Sequence, residues 1–333
     1  LPSYFKLFLR NIFKTVLFQM SLFLMPAEFT LPSFDAHSLQ YMAFANIACL
    51  PLFKTTPKHT FALSGFDYPV FENEEIRIAN SFDRFVSYCR NKWPASYYNM
   101  SGDLGDSIYD KCDYVALKCF VDTNLYPAYM SMTWLDECNY NVVMKPFLAQ
   151  HWGLLSRWAY TRAMRRAAEI VLLERYHTSV KDAQKLATAN AMHCIRYLSE
   201  KLGSQPYFRG DFPCVFDVYV FGYLAPMILM PQGNDKIKVF IKWNCPNIHA
   251  FVYRFLAEYI SLPADEKEEQ YKNILRVQRE IECYKEMMAQ RALNREKYSM
   301  KNVLAFAVTA LVLTIACACY TGCVSFYTTT NTA

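Results

Sequence analysis

Residues Leu202–Pro231 read LGSQPYFRGDFPCVFDVYVFGYLAPMILMP. A turn built from Gly203, Ser204 and Pro206 leads into the aromatic pair Tyr207-Phe208, and Gly210-Asp211-Phe212-Pro213 forms a second turn. An apolar run follows that contains one carboxylate, Asp217. Cys214 and Asp217 have the spacing of the N-cap and N3 residues of a capping box. In the first helical turn Asp217 accepts from orphan backbone N–H groups and sits at the positive end of the helix dipole. Behind it, Val218, Tyr219, Val220, Phe221, Tyr223 and Leu224 are apolar nearly all round, so this helix is the buried centre of a helical domain. Pro226 kinks or ends it.

Turn, aromatic, Gly-Asp-x-Pro and an aspartate opening a central helix resemble the C-terminal domain of glutathione-transferase-like proteins. The longer wording from Leu198 to Asp217, followed by Val220-Phe221-Gly222-Tyr223-Leu224-Ala225, resembles the metaxins. The family usually has Ser or Thr in the cap region. Here Cys214 and Val215 stand there, and a thiol is a poor acceptor, so the cap should be weaker by about 1 kcal/mol. Gly210, Asp211, Pro213 and Asp217 are therefore read as structural residues.

Outward from this stretch, residues 104–262 read as all helical. Asp106–Phe120 and Leu125–Glu137 supply apolar faces. Met132-Thr133-Trp134-Leu135-Asp136, Asn139-Tyr140 and Met144–Phe147 resemble the metaxin segment in order and spacing. Trp134 and Trp152 are read as core or interdomain packing. Arg157–Glu174 is a basic amphipathic helix, with Arg162, Arg165 and Arg166 clustered as a solvated face or as a docking patch for an acidic partner or anionic headgroups. Lys181–Leu202 is a second amphipathic helix, and Ile248–Ile260 is the last of the domain.

Residues 26–103 read as a small α/β unit: a strand at Phe29-Thr30-Leu31, a helix from Ser38 to about Cys49, and a strand at Leu52–Thr55. A hairpin turns at Ser64-Gly65 between Thr60–Leu63 and Pro69–Phe71, and a helix runs over Glu75–Cys89. The order βαβ, then ββα, is that of a thioredoxin-like domain. In glutathione-using relatives a Tyr, Ser or Cys after the first strand activates the thiol, a cis Pro precedes the third strand, and a Glu/Gln-Ser pair opens the last helix. Ser33 is available for the first role. Phe61 or Ala62 stands at the second place, and Asn73-Glu74-Glu75 lacks the Ser of the third. A glutathione site is not expected, and Ser33 reads as a cap or turn residue.

Residues 263–301 shift to charged composition and read as a solvent-exposed helical stalk. Its apolar spacing at Ile274, Val277, Ile281, Tyr284 and Met288 spans barely two heptads. Residues 302–327 read as a membrane anchor. Val303–Tyr327 carries no charge, includes Val303, Leu311, Ile315 and Val324, and is long enough to cross about 30 Å of hydrocarbon. Six residues follow it, which implies post-translational insertion as a tail anchor. Arg291, Arg295, Lys297 and Lys301 lie before it, so the positive-inside rule puts the bulk of the chain in the cytosol. Hydropathy leaves both the mitochondrial outer membrane and the endoplasmic reticulum open. Residues 1–25 carry Lys6, Arg10 and Lys14 before a short apolar run, Thr15–Met25. They read as an upstream extension before Met20 or Met25, as a targeting signal, or as an extra amphipathic element.

The composition excludes several classes. The chain has 333 residues, 53% hydrophobic and 16% aromatic, and a net charge of +5, spread without a basic block for nucleic acid. Its 12 cysteines form no CxxC pair and suit a reducing compartment better than a disulfide scaffold. Its six His show no metal-ligand spacing, and neither a cofactor nor a metal is expected. The resemblance implies a non-catalytic subunit of the mitochondrial outer membrane, of the subtype with a C-terminal anchor. It would act in protein import and in the sorting and assembly of β-barrel proteins, beside a barrel subunit and a second metaxin, with further links to motor adaptors. The alternative is a membrane-anchored glutathione-dependent transferase.

Overall fold

The computed structural model of the chain describes residues 20–56, 68–73, 76–93, 108–297 and 300–321. It comprises two compact units, residues 1–281 and 282–333, each taken by itself.

The first unit opens with β1 (Met20–Phe23), α1 (Ala36–Ile47) and β2 (Phe53–Thr55). It continues with β3 (Val70–Asn73), β4 (Arg77–Ala79) and α2 (Phe82–Lys92). The sheet order is β2-β1-β3-β4. β1 runs parallel to β2, with Leu22 opposite Lys54, and antiparallel to β3, with Leu22 opposite Phe71. β4 closes the sheet antiparallel to β3. This is the thioredoxin-like arrangement, but two of its elements lie away from their expected places. The first strand is Met20–Phe23, not Phe29–Leu31. Phe29 and Thr30 have φ of 56° and 64° and form a tight turn closed by the Glu28–Leu31 bridge. A short continuous apolar run such as Thr15–Met25 has no periodicity to separate a buried strand from a signal core. The helix expected from Glu75 begins at Phe82, because Arg77–Ala79 is drawn into the sheet by pairing with Val70–Glu72. Phe61, Ala62 and the turn at 64–65, like Glu74 and Glu75, lie outside the described residues.

The helical body follows. α3 (Ile108–Met130) is continuous through Pro127. Two π-helical turns, Ser131–Leu135 and Asn139–Met144, join it to α4 (Lys145–His151). Then come α5 (Leu154–Tyr176), α6 (Val180–Leu202), α7 (Val215–Leu229), α8 (Lys236–Asn244) and α9 (Pro246–Tyr259). α6 is capped by Ser179, whose side chain accepts from Asp182 N–H. It buries Ala183, Ala187 and Ala191, a seam of small side chains that lets its neighbours approach closely. Every residue of α7 is buried. This central helix packs against α1 of the other half, and Gln40 Nε2 donates to the Tyr219 carbonyl at 2.9 Å.

α10 (Ala264–Lys297) differs from a freely solvated stalk over its first half. Ile274, Val277 and Ile281 are buried within the first unit, and Asn273 donates to the Glu28 carboxylate. In the second unit, Met287, Met288 and Leu293 are exposed. α11 (Met300–Tyr320) exposes Leu304, Phe306, Val308, Leu311, Val312, Leu313 and Ile315. Among the described residues no helix is long and apolar enough to cross a membrane. Leu311 and Ile315 lie on this helix, whereas the side chain of Val303 and the whole of Val324 lie outside the described residues.

Candidate functional site

The start of α1 is where a thioredoxin-like domain would present a thiol ligand, and here its polar groups are already engaged. Asp35 is the N-cap: its Oδ2 accepts from Ser38 N–H at 2.8 Å. The Tyr129 hydroxyl, from α3, donates to Asp35 Oδ1 at 3.3 Å and accepts from Ala36 N–H at 3.2 Å. Helix-start donors that would otherwise bind an anion or thiolate are thus satisfied from inside the chain. Burial, with the Asp35 charge beside it, pushes the Tyr129 hydroxyl well above the usual tyrosine range, so it remains a neutral donor. Phe34 meets Phe147 edge-on at 4.4 Å. A ladder of rings continues from Tyr68 to Trp152 at 6.5 Å, Trp152 to Tyr160 at 4.7 Å and Tyr160 to Trp134 at 5.6 Å. Trp134 and Trp152 are both buried in this ladder. Ser33 is fully buried, and its hydroxyl has no partner among the described residues.

Of the features of a glutathione site that the sequence placed wrongly, the proline is present at another position, and the helix-opening pair is present only in its serine. The Tyr68–Pro69 peptide is cis and immediately precedes β3, so the proline sought at Phe61 or Ala62 is Pro69. The last helix of the α/β half opens with Asn80-Ser81, not Asn73-Glu74-Glu75. Ser81 is its N-cap, Asn80 has φ of 43°, and the Ser81 N–H donates to the Tyr41 hydroxyl at 2.8 Å. A usable signal lay in the sequence: Ser81 followed by Asp83 is an N-cap with an acid in the first turn. The apolar spacing through Ile76 and Ala79 outweighed it.

At α7 the N3 carboxylate is the hub. Asp217 is 0% exposed. Its Oδ1 accepts from Phe208 N–H at 2.9 Å, and its Oδ2 accepts from Cys214 N–H at 2.9 Å and from the Cys214 thiol at 2.8 Å. The thiol also accepts from the Asp217 backbone N–H, so the capping box expected from the spacing is complete, and its bond to Oδ2 adds a donor role. Burial raises the Asp217 carboxyl to about 6, although these donors pull it down. Burial and the adjacent Asp217 hold the Cys214 thiol well above its ordinary range, so it is not a nucleophile. Cys89 and Cys194 are likewise pushed up to about 12 by burial. Gly210, with φ of 109°, exchanges backbone hydrogen bonds with Tyr207 and closes the turn before the cap. Asp211 is exposed and Pro213 buried. Arg254 of α9 donates to the Pro206 carbonyl at 2.7 Å and fastens the same turn.

Arg162, Arg165 and Arg166 are brought together on α5, along an open cleft of about 500 Å³. Arg165 pairs with Glu137 at 2.9 Å and lies 4.3 Å from the Tyr140 ring centre. Arg162 lies 5.6 Å from the Trp158 ring.

Comparison with known proteins bears on both halves. The family model described as "Outer mitochondrial membrane transport complex protein" matches residues 38–165. The model described as "Glutathione S-transferase, C-terminal domain" matches residues 191–255. A metaxin-1 homolog from Caenorhabditis briggsae is 26% identical over 312 residues, covering 91% of this chain and 96% of that relative. Metaxin-1 of Mus musculus is 23% identical over 251 residues, covering 74% and 77%. Metaxin-3 of Xenopus laevis is 26% identical over 237 residues, covering 70% and 74%. Among solved structures, a beta-etherase from Sphingobium superposes with a TM-score of 0.51 at 12% identity, over 77% of this chain and 99% of its own. A glutathione S-transferase of Ceriporiopsis subvermispora in complex with glutathione gives 0.50 at 11%, over 74% and 99%. At such identities these two share the fold alone. The two models together reach from α1 to the capped turn and the central helix, and with the metaxin relatives they support the metaxin family, with a glutathione-transferase-like fold.

Proposed function

We propose that this chain is a non-catalytic subunit of a protein-transport complex of the mitochondrial outer membrane, using its transferase-like body as a docking scaffold. The observation that carries the non-catalytic reading is the engaged start of α1. Asp35 and Tyr129 occupy its hydrogen bonds, and Phe34 packs on Phe147. The outer-membrane setting is supported by the transport-complex model across residues 38–165 and by the metaxin relatives. In this reading the work is the sorting and assembly of β-barrel proteins, in contact with a barrel subunit and a second metaxin, with attachment to motor adaptors as a further role. Residues 302–327 are the anchor, with the exposed apolar side chains from Leu304 to Ile315 covered by lipid, and the bulk of the chain faces the cytosol. Crosslinking mass spectrometry on intact mitochondria should join the body to an outer-membrane barrel protein and to a second metaxin. Crosslinks confined to matrix or reticulum proteins would reject the assignment.

The buried, unpartnered Ser33 hydroxyl, with Pro69 cis before β3 and Ser81 at the start of α2, keeps a second reading in view, a membrane-anchored glutathione-dependent transferase. Calorimetry of the full chain with millimolar glutathione separates the two. The scaffold reading expects no saturable heat and no conjugation of a standard electrophile above background. Saturable binding that Ser33→Ala abolishes would make the transferase the better account.

A further inference from the structure

The outward side of α5 combines two chemistries that the scaffold role leaves unused. At its first turns Leu154, Leu155 and Trp158 are 70%, 69% and 61% exposed. One to two turns further on come Arg162, Arg165 and Arg166. The cleft they line also holds Lys145 and Arg157, so five cations face one carboxylate, Glu169. Arg165 is partly neutralised by Glu137. Arg162 and Arg166 have no carboxylate partner among the described residues.

Single exposed apolar residues are ordinary on a soluble surface. Two leucines and an indole at the end of a guanidinium-rich cleft are the composition of a segment that lies in a bilayer interface. There the indole sits at headgroup depth and the arginines meet phosphate. Charge decides the kind of occupant. A basic targeting peptide is repelled by five cations, whereas a phosphodiester offers the paired oxygens that guanidinium binds. The order along α5, apolar first and cationic next, matches an amphiphile rather than a uniformly acidic peptide.

We propose that Leu154–Arg166 is a membrane-surface contact that takes anionic phospholipid, with the headgroup phosphate among Arg157, Arg162 and Arg166, and Leu154 and Trp158 in the acyl boundary. The proposal deepens the outer-membrane reading and rests on it, because a body already held at a bilayer needs only weak intrinsic affinity at such a site.

The test uses the full chain carrying Trp243→Phe, which removes the other strongly exposed indole. It is reconstituted in nanodiscs of brominated phosphatidylcholine, alone or mixed with phosphatidylserine. The signal is quenching lost in a Trp158→Phe companion, which subtracts the remaining tryptophans. Quenching in the anionic discs should exceed that in neutral discs several-fold and weaken as salt is raised. It should fall about tenfold or more in Arg162→Glu/Arg166→Glu with an unchanged melting temperature. Equal quenching in both discs, or none in either, overturns the proposal. So does binding of a glutamate-rich peptide, lost in the double variant, without a lipid response; that result assigns the cleft to an acidic protein segment. A chain that fails to enter the discs overturns the anchor reading instead. The same quenching on adding it to brominated vesicles of the two compositions then decides the lipid site.

Discussion

At Asp217 two opposing effects meet on one carboxylate. Three donors favour its charged form, while burial favours its neutral form and wins, so its pKa rises from 3.8 to about 6. For a group whose folded pKa lies above its unfolded value, the stabilising contribution is full below pH 3.8 and is lost as pH rises through 6. The span is up to about 3 kcal/mol. Asp217→Ala leaves the Phe208 and Cys214 N–H groups buried and unpaired, which costs about 2 kcal/mol near pH 7.5. The gap to wild type should widen towards pH 4, and denaturant titrations at both values measure it. A gap that narrows towards pH 4 would mean that the carboxylate is stabilised in its charged form. The position and type of this residue were legible in sequence from its spacing to Cys214. The thiol's additional role as a donor to the carboxylate was not, because it depends on how the fold orients the two side chains.

At the scale of elements, the seam between α1 and α7 joins the two halves. Gly222 makes it possible: a Cβ there would stand 2.4 Å from Gln40 Cγ and 2.6 Å from the Ala36 carbonyl oxygen. The first contact is a movable side chain, but the second is backbone. Gly222→Ala should therefore push α1 away and cost roughly 1–3 kcal/mol by overpacking, despite the better helix propensity of Ala. Thermal unfolding of the full chain in detergent checks this, and a raised melting temperature would show that the seam yields freely. Sequence reasoning placed both helices near their true positions. It missed β1, because Met20–Phe23 becomes a strand only when β2 and β3, distant in sequence, are brought alongside it. It also missed that Ile274, Val277 and Ile281 are covered, since a 3-4 spacing specifies a stripe and not what lies against it.

For the whole molecule, the reading turns on the C-terminal apolar helix. Leu304, Phe306, Leu311 and Leu313 are 69%, 75%, 63% and 69% exposed, and such a surface stays in water only at high cost. Removing residues 302–333 should move the protein from the carbonate-resistant pellet to the soluble fraction while its melting transition persists. Retention in the pellet would mean that residues 302–333 are not what holds the protein at the membrane.

The sequence by itself determined the α/β-then-helical order, the aspartate-opened central helix and the apolar tail. These are written in local spacing, turn residues and composition, which need no distant partner. Only the tertiary structure decided which proline precedes β3, which serine opens α2, and that Tyr129 closes the start of α1 from 93 residues away. Strand pairing and side-chain engagement across halves are set by what the folded chain brings together, and a linear pattern does not contain that information.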